Sequence, residues 1–158
     1  NGLDAFYSDC AEIINSVSQD KVTLAVQWLP PMAWYFGGSV KIDIMNSVKD
    51  VKHISNKNIN VVMDSSHLFM GKNFFGFDAM RIIEELEPFI KWFHISGASG
   101  IDGEGNNFTT IDEGEYQIIK KIIEADSVKI VEVWQGHLDK YLGFKQALEN
   151  LEERFNHE

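Results

Sequence analysis

Two kinds of hydrophobic pattern alternate along this chain: continuous apolar runs and apolar residues that recur every three to four positions. Short continuous apolar runs, typical of strands buried in a parallel sheet, occur at residues 22–27, 59–64, 90–95 and 128–133. Around them, apolar residues recur every three to four positions, which predicts helices at 3–18, 39–54, 77–87, 110–125 and 139–155. One helix followed by four strand–helix units predicts an α/β fold with a parallel sheet covered by helices.

The helices also carry local signals for their inward faces and their ends. In the terminal helices the predicted inward residues are Leu3, Phe6, Cys10, Ile13 and Val17, and then Tyr141, Phe144, Leu148, Leu151 and Phe155. Thr110 and Glu113 have the spacing of a capping box, so we expect them to open the helix that ends at Ala125.

Two segments interrupt the periodic pattern. Residues 28–38 combine two prolines with Trp28, Trp34, Tyr35 and Phe36, so we expect an irregular aromatic loop there. Residues 97–111 are rich in glycine, and a loop of that length is usually functional. Oxygen-bearing residues from Asp102 onward partly match an EF-hand calcium loop. Asn107 replaces its turn glycine, so an active-site loop is the favoured interpretation.

Polar side chains close each predicted strand. Gln27, Asp64, His94 and Glu132 stand at the strand ends, at intervals of one strand–helix unit. Parallel strands bring such ends to one edge of the sheet, with neighbours about 5 Å apart. Two carboxylates and an imidazole can converge there on one divalent cation, and mixed nitrogen and oxygen ligands suit Mn²⁺, Zn²⁺, Mg²⁺ or Co²⁺. Asp64, His94 and Glu132 are therefore the predicted metal ligands.

Further residues near the strand ends are candidates for substrate contact. His67 follows Asp64 by three positions and is expected to bind the metal or to hold substrate. Gln27 can offer an amide oxygen but cannot accept a proton, so no general base stands there. His137 follows the last strand, and Trp34 belongs to the aromatic loop, where aromatic walls suit sugar rings. The alternative for each residue is local: a helix cap, a surface hydrogen bond or packing between loops.

Composition narrows the classes of partner. The 158 residues are 44% apolar, enough for the core of a single domain spanning 1–158. The net charge of −10 and the lack of a basic run argue against nucleic acid and anionic membranes as partners. No apolar run approaches the roughly 20 residues of a membrane span, and residues 1–4 lack the pattern of a signal peptide. Cys10, the single cysteine, is expected to be inert core, and the expected compartment is the cytoplasm.

The order of the strand-end residues resembles a known family. Asp64 with His67 three positions later, then His94, then Glu132, is similar to the second half of xylose-isomerase-like TIM barrels. That superfamily includes sugar phosphate isomerases and epimerases and a family of apurinic endonucleases. Residues 94–105, with 30–34, also resemble the barrel modules fused to the carboxyl end of some sialic-acid (N-acetylneuraminate) synthases.

The resemblance implies a fold and roles for named residues. The fold would be the carboxyl-terminal (β/α)4 half of a TIM barrel with one extra amino-terminal helix, within a longer chain. Asp64, His94 and Glu132 would hold one divalent metal, Glu132 would also shuttle a proton beside a carbonyl, and His67 would contact substrate. The chain departs from the family at Gln27, in the place of the first ligand and base, and at Gly97, where many members have an aspartate. An arginine that grips phosphate in many members is also missing.

These observations lead to two expectations of function. The favoured one is a sugar isomerase- or epimerase-like barrel module of carbohydrate metabolism, part of a sialic-acid-synthase-type protein, whose degenerate site binds metal weakly or not at all. The alternative is an active metal-dependent sugar isomerase or epimerase, which moves a proton next to a carbonyl once the full barrel is assembled. In both, the ligand is a sugar or sugar derivative, and a missing amino-terminal half-barrel or a second copy completes the sheet.

Overall fold

The structure, a computed structural model, describes residues 2–17, 22–35 and 37–156. Its strands are β1 (Ala25–Gln27), β2 (Met32–Tyr35), β3 (Gly38–Lys41), β4 (Asn60–Asp64), β5 (Ile90–Ile95), β6 (Gly97–Ser99), β7 (Gly103–Asn106) and β8 (Val128–Val131). Its helices are α1 (Gly2–Val17), α2 (Val48–Ser55), α3 (Ser65–Phe75), α4 (Ala79–Leu86), α5 (Glu113–Glu124) and α6 (Leu138–Asn156). None of these helices is both long and apolar enough to span a bilayer.

A parallel sheet in the order β1-β4-β5-β8 confirms the predicted α/β class. Met63 on β4 and Phe93 on β5 are wholly buried and pack with the apolar faces of the helices. Successive side chains on a strand point to opposite faces of the sheet. Asp64, which follows Met63, and His94, which follows Phe93, therefore face away from this core. The same face is poorly covered at β8, where Val128 and Ile130 are exposed among the described residues.

The largest difference from the predicted elements is α3, which lies between the strand predicted at 59–64 and the helix predicted at 77–87, where no helix was predicted. The Asp64 carboxylate begins this helix, because its Oδ1 accepts hydrogen bonds from the backbone N–H groups of Ser66 and His67. Gly76 ends it with a left-handed φ of 72°. The middle of α3 is buried without an amphipathic stripe, and such a short apolar run gives no helical period to detect.

The aromatic segment contains a β-hairpin, so the prediction of an irregular loop followed by a helix from residue 39 was wrong. Strands β2 and β3 pair antiparallel, and Gly37 takes the positive φ of 82° that the turn requires. Pro30 and Pro31 precede the hairpin, where they remove no ladder hydrogen bond. Helix α2 therefore starts only at Val48. Phe36 lies outside the described residues.

The glycine-rich segment is also a hairpin, formed by β6 and β7. Its strands approach so closely that a Cβ added to Gly97 would lie 2.1 Å from Oδ1 of Asn106. Thr110 does not cap the next helix, as had been expected, because its hydroxyl accepts a hydrogen bond from the Asn106 side chain. The capping box of α5 instead joins Asp112 and Glu115.

The terminal helices bury fewer residues than their periodicity predicts. Helix α1 turns Tyr7 and Ala11 inward, where the Tyr7 hydroxyl accepts a hydrogen bond from the backbone N–H of Met45. The predicted inward positions Phe6, Ile13 and Val17 are exposed, and Cys10 is only half-buried. Helix α6 buries Ala147 and Leu151 but exposes Tyr141 and Leu148. Residue 18, the predicted end of the first helix, lies outside the described residues.

Candidate functional site

Asp64, His94 and Glu132 meet at the carboxyl edge of the parallel sheet. Asp64 and His94 are register partners on β4 and β5, and Glu132 follows β8, with its backbone N–H donating to the Ile95 carbonyl. One ligand atom from each of the three side chains lies within 4.8 Å of the other two. Metal–ligand bonds of about 2.0–2.4 Å place ligands up to about 4–5 Å apart. The three residues predicted as metal ligands therefore have the spacing of a divalent-cation site.

The His94 ring supplies a separate indication of a missing partner. Its Nδ1 lies 2.5 Å from Oε2 of Glu132, close enough for an ion pair. The two atoms lack the alignment of a hydrogen bond, and Nδ1 is a buried atom without a hydrogen-bond partner among the described residues. A short distance alone does not satisfy a buried polar atom, which also needs an aligned partner. A cation bound by both side chains would satisfy that nitrogen.

The Asp64 carboxylate is held in place by its neighbours. Oδ1 caps α3, and Oδ2 accepts a hydrogen bond of 2.8 Å from Nε2 of Gln27. A carboxylate oxygen accepts about two hydrogen bonds, so Oδ2 keeps a lone pair for a cation. Gln27 donates its amide N–H to Asp64 and thereby orients a candidate metal ligand; such support strengthens metal sites.

His67 has both ring nitrogens engaged by protein acceptors, which disfavours metal ligation. Its Nδ1 lies 2.9 Å from the Trp28 carbonyl oxygen, and its Nε2 lies 3.3 Å from Oε2 of Glu104. Both partners are acceptors, so both ring nitrogens carry protons when both contacts form. Burial works to lower the pKa of His67, but Glu104, Asp64 and the Trp28 carbonyl outweigh it and raise that pKa. The hydrogen bond with His67 in turn lowers the pKa of Glu104.

Ser65 ties the start of α3 to the end of β5, directly beneath this site. Its buried hydroxyl donates to the Ser96 carbonyl at 2.7 Å and accepts from the Ser96 N–H at 2.9 Å. This pair of bonds holds the Asp64 end of β4 against the His94 end of β5. The sequence offered no sign of it, since serines after strands are common in turns.

We expect Ser65→Ala to lower the free energy of unfolding by about 1–3 kcal/mol, because it leaves two buried backbone groups of Ser96 unsatisfied. Urea unfolding followed by circular dichroism measures the change. Ser16→Ala is the matched control, since its hydroxyl also bonds a backbone carbonyl but is exposed. An equal, small loss in both variants would contradict the role given to Ser65.

Two adjoining cavities open beside the strand ends. One of about 260 Å³ is lined by Gln27, Asp64, Ser66, His67, Glu104, Glu132 and Trp134, among others. Another of about 600 Å³ is lined by Trp34 and shares Glu104 and Trp134 with the first. His137, expected to reach substrate, is exposed and lines neither cavity.

Sequence reasoning missed Glu104 and Trp134. Glu104 was only one of several acidic residues in the segment predicted as an active-site loop, and no spacing distinguished it. The β6–β7 hairpin brings it to His67. Trp134 lies two residues after Glu132, and its backbone N–H donates to the Gly105 carbonyl at 2.7 Å, which joins it to the same hairpin.

Comparisons with models of protein families and with curated proteins find no match to this chain. The resemblance to xylose-isomerase-like barrels therefore rests on the strand-end residues themselves.

Proposed function

We propose that this chain is a sugar isomerase- or epimerase-like barrel module that binds one divalent cation through Asp64, His94 and Glu132. The observation that carries the proposal is the convergence of three ligand atoms within 4.8 Å at the ends of three strands. The buried His94 Nδ1 also supports it, because this nitrogen has no aligned hydrogen-bond partner in the described chain although Oε2 of Glu132 lies 2.5 Å away. A bound cation of this kind acts as a Lewis acid toward a carbonyl oxygen.

The proposal extends to the fold. Four parallel strands lie side by side in chain order, which is the arrangement of consecutive strands in a TIM barrel. Val128 and Ile130 leave an apolar patch on the face away from the helices. We propose that this is the carboxyl-terminal half of a xylose-isomerase-like barrel, in a cytoplasmic, sialic-acid-synthase-type protein. A further half-barrel or a second copy would cover that face and pair with the outer strands.

The residues favour binding over turnover. Isomerisation by proton transfer needs groups that accept and return a proton on the substrate, and Glu132 is one such group. Gln27 cannot be another. In the described structure its amide N–H already donates to the Asp64 carboxylate, so Gln27 serves to orient that proposed metal ligand. His67 lines the same cavity and can donate its Nε2–H to a sugar oxygen in place of Glu104.

One observation favours the alternative, an active isomerase. Glu104 lines the same cavity as Glu132 and places a second carboxylate there, although from a hairpin and not from a strand end. Exchange of substrate hydrogen with D₂O, followed by NMR at saturating Mn²⁺ over a panel of aldoses and ketoses, separates the two functions. The module predicts no exchange, and the isomerase predicts exchange that Glu104→Gln abolishes.

Equilibrium dialysis against Mn²⁺, followed by elemental analysis, tests the metal site. We expect one Mn²⁺ per chain, displaced by Zn²⁺ or Co²⁺, because a mixed imidazole and carboxylate site accepts each of these cations. Calcium, which prefers six to eight oxygen ligands, should compete poorly. A metal-free protein at saturating Mn²⁺ would contradict the proposal.

A further inference from the structure

The larger of the two cavities has no assigned occupant. Its walls come from four separate parts of the chain: the β2–β3 hairpin, helix α3, the β6–β7 hairpin and the segment after β8. We call it the outer cavity; its apolar lining includes Trp34, Trp134, Met32 and Met70. Met70 belongs to α3, the helix capped by Asp64. The same helix therefore contacts both the outer cavity and the proposed metal site.

The two indoles of the outer cavity are unusually exposed. Trp34 is 61% exposed and Trp134 is 69% exposed, whereas Trp28 nearby is completely buried. Tryptophan is largely buried on average, and clusters of exposed apolar side chains mark binding surfaces. Burial of apolar area is favourable, so a ligand that covers these rings gains affinity from each. The Trp134 backbone is held by Gly105, so one of the two walls is anchored.

The charges of the lining select against anions. Asp102 and Glu104 line the outer cavity. Asp64, Glu104 and Glu132 line the smaller cavity beside the strand ends. No lysine or arginine is found among the described residues that line either cavity. The whole chain carries a net charge of −10. In the outer cavity, a phosphate or carboxylate on the ligand would therefore meet repulsion and no bidentate partner. The smaller cavity also holds His67 and the proposed cation, so the comparison with phosphates is made in EDTA.

We propose that the outer cavity is a subsite for an uncharged aromatic or alkyl substituent, carried by a neutral sugar whose oxygens reach the strand-end site. Trp34 and Trp134 contact the substituent, and Glu104, which lines both cavities, stands at their junction. The sugar end of this ligand rests on the proposed function, whereas the apolar subsite rests on the outer cavity alone.

Calorimetric titration with matched probes tests the subsite. The probes are D-glucose, D-mannose and D-galactose, each as the free sugar, the phenyl glycoside and the 6-phosphate. For at least one of the three sugars we expect the phenyl glycoside to bind about tenfold or more tightly than the free sugar. We expect the 6-phosphate of that sugar to bind more weakly than the free sugar. Tryptophan emission should shift to shorter wavelength with the phenyl glycoside, because the two exposed indoles leave water.

Trp34→Ala should remove the tenfold advantage of the phenyl glycoside over the free sugar. Tyr141→Ala is the matched control, because Tyr141 is equally exposed but lines neither cavity. Equal binding of phenyl glycoside and free sugar in every set, tightest binding of a phosphate, or an unchanged advantage in Trp34→Ala would overturn the proposal.

Titrations with Mn²⁺ and with EDTA distinguish the subsite from the proposed function. If the protein takes up no Mn²⁺ but still binds a phenyl glycoside through Trp34, the metal site fails and the subsite stands. If it takes up Mn²⁺ but shows no preference for the phenyl group, the subsite fails and the metal site stands.

Discussion

Replacement of Asp64 by alanine is expected to lower the affinity for Mn²⁺ by at least about a hundredfold. Loss of a residue that merely supports a metal ligand already costs about 10–100-fold. Asp64 is itself one of the three proposed ligands and the most buried of them, at 4% exposure. Calorimetric titration of Mn²⁺ into both proteins measures the difference.

The matched control accounts for the second role of Asp64. Its removal also uncaps α3, which costs about 1 kcal/mol of stability whether or not a metal binds. Asp78→Ala uncaps α4 in the same way, because the Asp78 carboxylate accepts from the Arg81 N–H, yet it lies outside the candidate site. Equal Mn²⁺ affinities in the Asp64 and Asp78 variants would remove Asp64 from the site.

Gln27→Glu is expected to raise the affinity for Mn²⁺ by about tenfold or more. The substitution sets a carboxylate beside Oδ2 of Asp64, where the wild-type amide lies at 2.8 Å. Added ligand charge tightens oxygen sites by orders of magnitude. Without metal, the two carboxylates repel, so the variant should melt at a lower temperature than wild type in EDTA. Mn²⁺ should then raise its melting temperature more than that of the wild type.

Gln117→Glu is the control for the change of charge. The Gln117 amide also donates to a carboxylate, that of Glu113 at 2.7 Å, but on the exposed surface of α5. Its glutamate variant should leave Mn²⁺ affinity unchanged. If Gln27→Glu also leaves it unchanged, position 27 does not face the metal, and the departure from the family at this position has no bearing on binding.

The parallel sheet was the most predictable part of the fold. The strand predicted at 90–95 coincides with β5, and that predicted at 59–64 begins one residue before β4. A continuous apolar run with a polar residue at its end is a local property, and parallel pairing then brings the ends together whatever the loops do. This is why Asp64, His94 and Glu132 were recognisable as a group.

The elements that border the site were much harder to predict. Helix α3 escaped detection because residues on all sides of its middle are buried, so this part of its sequence has no polar stripe. The β2–β3 and β6–β7 hairpins are short and rich in glycine or aromatics, and their pairing depends on turn geometry that composition does not specify.

The amino-acid sequence by itself determined the α/β class, the parallel strands and the three polar side chains at their ends, because strand period and pairing direction act over a few residues. Only the tertiary structure decided that Gln27 turns its amide nitrogen to Asp64, that Glu104 reaches His67, and that Trp34 and Trp134 face one cavity. These contacts join residues that lie far apart in the chain, on hairpins and segments whose positions are set by packing against α3 and the sheet.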